Sequence, residues 1–254
     1  MNFSRHFRTG IRTVVLILSL SSLTASQAQA KVTSSEKSAY PDPIQWENSI
    51  TRFEKKDAAN PPPPGAILCI GSSSMKGWHD LIEFDLEPLT VIPRGFGGSN
   101  TNDALHYADR IVLPYSPRAI VYYEGENDIA QGIPPEQVAD TFQAFVDTVH
   151  ASLPECRIYV LSIKPSITRK ALWPKMQEAN QLLEEICKTD EMLTYVDVAS
   201  GMFNDSGELK SDIFRSDDLH MNRKGYIIWR ETLLPVLLEN ELPYEPSENP
   251  PRES

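Results

Sequence analysis

The chain has 254 residues, 41% hydrophobic and 9% aromatic, with 24 Lys and Arg against 35 Asp and Glu for a formal charge of −11. That length and composition suit one substantial buried core and exclude fibrous, collagen-like and wholly disordered classes. The acidic balance, with no basic stripe interleaved with aromatics, argues against a nucleic-acid partner, because phosphate contacts need clustered Lys and Arg.

Residues 1–30 stand apart. Arg5, Arg8 and Arg12 precede an apolar run over 14–20, and Ala28-Gln29-Ala30 supplies the small residues of a signal-peptidase site. This pattern predicts a cleaved signal peptide ending at Ala30 and export to the periplasm or the medium. The apolar run is too short to remain as an anchor, so no stable membrane insertion is expected after cleavage. Losing three arginines moves the net charge from −11 to −14.

Residues 31–63 read as a polar leader followed by a helix. Asp42-Pro43 is a cap and first-turn signal, and Trp46, Ile50 and Phe53 then recur at helical spacing. Pro61-Pro62-Pro63-Pro64 stops that helix. From 64 to 240, short apolar runs at 66–70, 89–92, 119–123, 158–163 and 194–198 alternate with helical patterns. Val138, Phe142, Val146 and Val149 mark one helix. Leu172, Met176, Leu183 and Ile186 mark another, and Tyr226, Trp229, Leu233 and Leu237 a last one, with a kink expected at Pro235. Continuous apolar strands between helices predict a three-layer α/β/α sandwich around a five-stranded parallel sheet. Residues 241–254, rich in Pro and Glu, read as a disordered tail.

Cys69 lies in an apolar run and reads as a buried small hydrophobe. Cys156 and Cys187 are open to pairing, though nothing in the sequence requires it. No Cys or His spacing suggests zinc, so neither a metal nor a cofactor is expected.

In such sheets the active site collects where loops leave the carboxyl ends of the strands. Those loops are Gly71-Ser72-Ser73-Ser74, Arg94-Gly95-Phe96-Gly97-Gly98-Ser99-Asn100, Glu124-Gly125-Glu126-Asn127-Asp128, Lys164-Pro165-Ser166 and Ser216-Asp217-Asp218-Leu219-His220. Ser73, at a strand-to-helix turn, is the candidate nucleophile; the turn is neither a G-x-S-x-G elbow nor a Walker loop. A serine needs a base. His79 and His150 lie on helical stretches with no evident carboxylate to orient them. Two D-x-x-H pairs remain, Asp103 with His106 and Asp217 with His220. The first falls within a helix, where such a spacing usually marks a solvated face. The second lies in a loop, where Asp217 can fix the tautomer that leaves His220 Nε2 free as base. Gly98 allows backbone N–H groups to approach an oxyanion, and Asn127 offers an amide.

With these residues in these blocks, the chain resembles the SGNH (GDSL-type) hydrolases. Their Ser, Gly, Asn and His correspond to Ser73, Gly98, Asn127 and His220, with Asp217 three residues before the histidine. The departures are Ser72 and Ser74 where the familiar G-D-S-L has Asp and Leu. The G-S-S-S turn followed by Trp78 looks like the acetylhydrolase-like branch, which includes relatives of the platelet-activating-factor acetylhydrolase catalytic subunits. The resemblance implies a flavodoxin-like fold and a metal-free serine esterase acting on a small-molecule ester, with a preference for short acyl groups. In it, Ser73, His220 and Asp217 are catalytic, and the oxyanion is held by the N–H groups of Ser73 and Gly98 with the Asn127 amide. A lysophospholipase or thioesterase on the same site is the rival enzyme, and a non-catalytic ligand-binding protein of the same fold is the rival of another class. Lys164, Arg169 and Trp173, on the loop after the fourth strand, are expected to line the substrate pocket. The sequence leaves the oligomeric state open.

Overall fold

A computed structural model describes residues 40–245. The expected signal peptide, the leader up to residue 39 and the tail from residue 246 lie outside the described residues.

Five strands form one parallel sheet: β1 (Ile67–Gly71), β2 (Val91–Gly95), β3 (Ala119–Tyr123), β4 (Arg157–Leu161) and β5 (Leu193–Val196), in the order β2-β1-β3-β4-β5. The helices are α1 (Glu47–Ala59), α2 (Ser73–Asp85), α3 (Thr101–His106), α4 (Ala108–Ile111), α5 (Glu126–Ala130), α6 (Pro135–Ser152), α7 (Trp173–Lys188) and α8 (Arg223–Glu241). Every residue of β1 and β3 is buried, as a strand covered on both faces must be. Along β1 the side chains alternate between two cores. Leu68 and Ile70 join Phe142, Phe145, Met176 and Leu183 from α6 and α7. Ile67 and Cys69 join Trp78, Ile82, Trp229 and Leu233 from α2 and α8. Truncating one such side chain to alanine costs about 2–5 kcal/mol.

This strand order has a consequence for the site. The chain leaves β1 toward β2 on one side and returns to β3 on the other, so a crevice opens between the carboxyl ends of β1 and β3. The register sets Gly71 level with both Gly95 and Tyr123, which brings the turns after β1, β2 and β3 to one edge at one height.

Several expected boundaries move. Arg94 and Gly95, read as turn, belong to β2: the Arg94 guanidinium is buried against Asp57 of α1 at 2.7 Å and lies over the Tyr115 ring. A paired charge does not end a strand. β4 and β5 stop two residues earlier than the apolar runs suggest. Helix α8 continues through Pro235 to Glu241. The tail does not begin at 241, because the fully buried Glu241 carboxylate takes Arg157 Nε at 2.5 Å, the Tyr159 hydroxyl at 2.7 Å and Arg118 Nε at 3.2 Å. Glu245 follows with bonds to Arg118 and Thr90. Asp42 does cap the turn before α1, accepting from the Ile44 N–H at 3.0 Å. All three cysteines are buried and free, and burial pushes the Cys156 and Cys187 thiols up to about 12.

Candidate active site

Three adjacent serines follow β1, and packing separates them. Ser72 and Ser74 are buried, whereas Ser73, the first residue of α2, is half-exposed. The Ser73 hydroxyl stands at the positive end of a 13-residue helix, where backbone N–H groups point outward. Its Oγ lies 3.0 Å from His220 Nε2. His220 Nδ1 in turn lies 2.7 Å from Asp217 Oδ2, and the Leu219 and His220 N–H groups donate to Asp217 Oδ1 at 3.0 and 2.9 Å. The His220 ring and these two amides hold the Asp217 carboxyl well below the usual carboxylate range. An ionised Asp217 fixes the proton of a neutral ring on Nδ1 and leaves Nε2 to accept from Ser73.

The β2 turn reaches the same place. A Cβ added at Gly97 would lie 3.8 Å from Ser73 Cβ. Gly98 has φ +94°, and a Cβ there would come within 2.9 Å of the Trp46 ring, so only glycine fits the turn without displacement. The Trp46 indole donates to Asp103 at 2.8 Å, so the segment leading into α1 covers this loop. Gly125, at φ +106°, turns β3 into α5 and delivers Asn127. The Asn127 amide is bound at both ends: its Nδ2 donates to the Ser99 carbonyl at 2.8 Å, and its Oδ1 accepts from Arg169 Nη2 at 3.0 Å. Nδ2 carries a second proton.

Not every expected site residue faces a substrate. Lys164 does not: its side chain is buried, and Nζ binds Glu126 at 3.0 Å and the Leu219 carbonyl at 2.9 Å. A buried ammonium needs its charge answered, and Glu126 answers it. Arg169 turns toward Glu126 and Asn127 rather than outward. Trp173 packs on Phe203 with ring centroids 5.7 Å apart, and both border a cavity of about 590 Å³ with Pro165, Ile167 and Leu209. The Asp103–His106 pair is not a solvated face. His106 is exposed, but Asp103 is buried in a capping box with Asn100, and burial pushes its carboxyl up to about 6. His79 is a satisfied helix histidine: Nε2 accepts the Gly95 N–H at 2.8 Å, and burial pushes the ring down to about 4. It is neutral and occupied, hence no rival to His220.

Sequence reasoning missed a buried acidic layer beneath the Gly98 and Asn127 turns. Glu124 accepts from the Ser99 hydroxyl at 2.6 Å, and Asp128 accepts from the Thr101 and Gly125 N–H groups at 3.1 Å each. Burial raises both carboxyls, Glu124 well above its usual range. The available signal was three carboxylates within five residues, Glu124 to Asp128, directly after an apolar strand. Among the described residues no cluster of three or more His, Cys, Asp or Glu is arranged to hold a metal ion, and no helix is long and apolar enough to cross a membrane.

A flavodoxin-like sandwich whose switch-point crevice carries a serine, a histidine and a carboxylate in series has the architecture of the SGNH (GDSL-type) hydrolases. The model of the GDSL-like Lipase/Acylhydrolase family matches residues 62–228, and the chain belongs to that family. It is 27% identical over 152 residues to platelet-activating factor acetylhydrolase IB subunit alpha1 of Pongo abelii and 26% identical to that of Homo sapiens. Each match takes in 59% of this chain and 62% of the relative, so the chain spans less than two thirds of those relatives' length. In fold it is similar to a GDSL-like lipase from Bacteroides thetaiotaomicron, with a TM-score of 0.63 at 18% identity, over 75% of this chain and 97% of that one.

Proposed function

We propose that this protein is a serine carboxyl-ester hydrolase that works through an acyl-enzyme. The observation that carries the reading is the unbroken series Ser73 Oγ, His220 and Asp217, at 3.0 and 2.7 Å, set at a helix N-terminus. Ser73 Oγ attacks the ester carbonyl carbon while its proton passes to His220 Nε2. The carbonyl oxygen takes the negative charge, and the N–H groups of Ser73 and Gly98 with the free Asn127 amide proton stabilise it. Collapse breaks the bond to the alcohol oxygen, which leaves with the proton from His220. Water then attacks the acyl carbon by the same route in reverse, releasing the acid and restoring Ser73. Asp217 stays ionised and stabilises the imidazolium that forms twice per cycle.

The acyl group is read as short, of the acetyl kind, supported by the G-S-S-S turn and by the acetylhydrolase name of the curated relatives. The alcohol half is placed toward the cavity beside Trp173, and the enzyme outside the cytoplasm, on the strength of residues 1–30. Sequencing the amino terminus of exported protein checks the last point; a chain still starting at Met1 contradicts it.

A series of p-nitrophenyl esters of increasing acyl length tests the whole reading. Acetate should turn over best, and Ser73→Ala should fall to the uncatalysed background on every ester with its melting temperature kept. A dead Ser72→Ala or Ser74→Ala beside an active Ser73→Ala would mean the wrong serine. A wild-type protein that cleaves none of them would overturn this reading in favour of the rival acyl substrates or the non-catalytic ligand-binding protein.

A further inference from the structure

Asn127 can stabilise an oxyanion only if its amide presents nitrogen, not oxygen, to the crevice. The two ends of a carboxamide have nearly the same shape, so something must choose between them. Here the choice is made by charge and by a carbonyl. Arg169 Nη2 donates to Asn127 Oδ1 at 3.0 Å, and Nδ2 donates to the Ser99 carbonyl at 2.8 Å. A flipped amide would set its NH₂ against a guanidinium and its oxygen against a carbonyl oxygen, losing both bonds and gaining two repulsions.

Arg169 is itself held. Nη1 lies 3.3 Å from the Glu126 carboxylate, which also takes Lys164 Nζ at 3.0 Å and the Tyr123 hydroxyl at 2.9 Å. The segment that carries Arg169 grips the histidine loop as well. The Ile167 and Thr168 N–H groups donate to the Asp218 carbonyl at 3.0 and 3.1 Å, and the Thr168 hydroxyl donates to the Asp217 carbonyl at 2.8 Å. One short segment, 166–169, therefore touches the turn that bears Asn127 and the turn that bears Asp217 and His220.

We propose that Arg169 is a positioning residue for ester hydrolysis: it fixes the Asn127 amide with nitrogen toward the oxyanion, and polarises that amide so its free proton is a better donor. The inference rests on the functional reading of the site above. It replaces a direct contact between Arg169 and substrate with an action through Asn127.

The test is a double-mutant cycle on p-nitrophenyl acetate, with melting temperatures taken alongside. Acting only through Asn127, Arg169 cannot be worth more than the amide itself, so Arg169→Met should lower kcat by roughly tenfold, within the 10²–10³ typical of one lost oxyanion donor. KM should stay within about twofold, because a donor aimed at the charged intermediate hardly feels the ground state. In an Asn127→Ala background the same change should have almost no further effect on kcat. Arg169→Lys, which keeps the charge but not the two-pronged guanidinium, should recover part of the loss. Losses that multiply in the double variant, a loss confined to KM, or full kcat in Arg169→Met would each overturn the proposal. A second readout needs no turnover: the Asn127 side-chain ¹⁵N–¹H pair, assigned by its disappearance in Asn127→Ala. Arg169→Met should shift it. An unmoved pair defeats the positioning role even if no ester is cleaved, whereas a shifted pair with no esterase activity defeats only the functional reading.

Discussion

Two sets of carboxylates flank the crevice, and they are opposites. Asp217 is on the surface, with 47% of its side chain exposed, and its carboxyl is held far toward the ionised form. Asp103, Glu124 and Asp128 are buried under the Gly98 and Asn127 turns, and their carboxyls are pushed toward the neutral form. Asp217 receives the ring and two backbone amides while water still reaches it. The inner three also receive hydrogen bonds, yet desolvation outweighs them. The same carboxyl group thus does unlike things within one site. The outer one supplies a fixed negative charge to a histidine; the inner ones act as hydrogen-bonding struts.

The contrast is broken most severely by removing the outer charge. Asp217→Asn should lower kcat by roughly 10³–10⁴, since the histidine then loses both its tautomer control and its counter-charge. The melting temperature should fall only modestly, because water reaches the residue and an asparagine still offers the two backbone amides an acceptor; a large drop would make Asp217 a structural residue instead. Next in size is Asn127→Ala, which removes one donor to the oxyanion and should cost roughly 10²–10³ in kcat with KM little changed. An effect on KM alone would assign Asn127 to substrate binding.

Smaller effects probe the inner set. Asp103 titrates near 6 in the folded protein against an ordinary 3.8, so between those values the native state keeps a proton that the unfolded chain has released. Stability should therefore fall as pH rises from about 4 to 6. Asp103→Asn should flatten that part of the melting-temperature profile, and superimposable profiles would disprove the shift. The smallest effect is expected from Glu124→Gln. An amide still accepts the Ser99 hydroxyl and mimics a protonated acid, so activity and melting temperature at pH 7 should stay close to wild type. A loss as large as that of Asp217→Asn would show that Glu124 works as an anion and erase the distinction.

What the sequence discloses follows from the range over which residues interact. Strands buried on both faces announce themselves as apolar runs, which is why Ala119–Tyr123 is legible to the residue. The Asp217–His220 pair is legible because three positions in one turn suffice to join them. By contrast, Lys164 meets Glu126 across 38 positions and Leu219 across 55, and Arg169 meets Asn127 across 42. No spacing rule encodes such encounters, so two cations on a loop looked like ligands for a substrate when their partners were inside the protein. Asp103 was obscured differently. Its spacing to His106 suggests water on that face, but the carboxylate is buried, and the Trp46 indole that bonds it lies 57 positions away.

Trp46 has a practical consequence for where the folded unit begins. The stretch that matches the family starts at residue 62, yet the indole within 2.9 Å of a Cβ placed at Gly98 belongs to residue 46, and Asp57 of α1 pairs with Arg94 in the sheet. A protein trimmed to the family's limits would retain every motif residue and lose the roof over one of its turns. Expression boundaries, fusion partners and directed-evolution libraries drawn from the motif blocks alone would all cut inside the packed unit. Contacts to the sandwich reach back at least to Tyr40, whose hydroxyl bonds Thr141 of α6 at 3.3 Å.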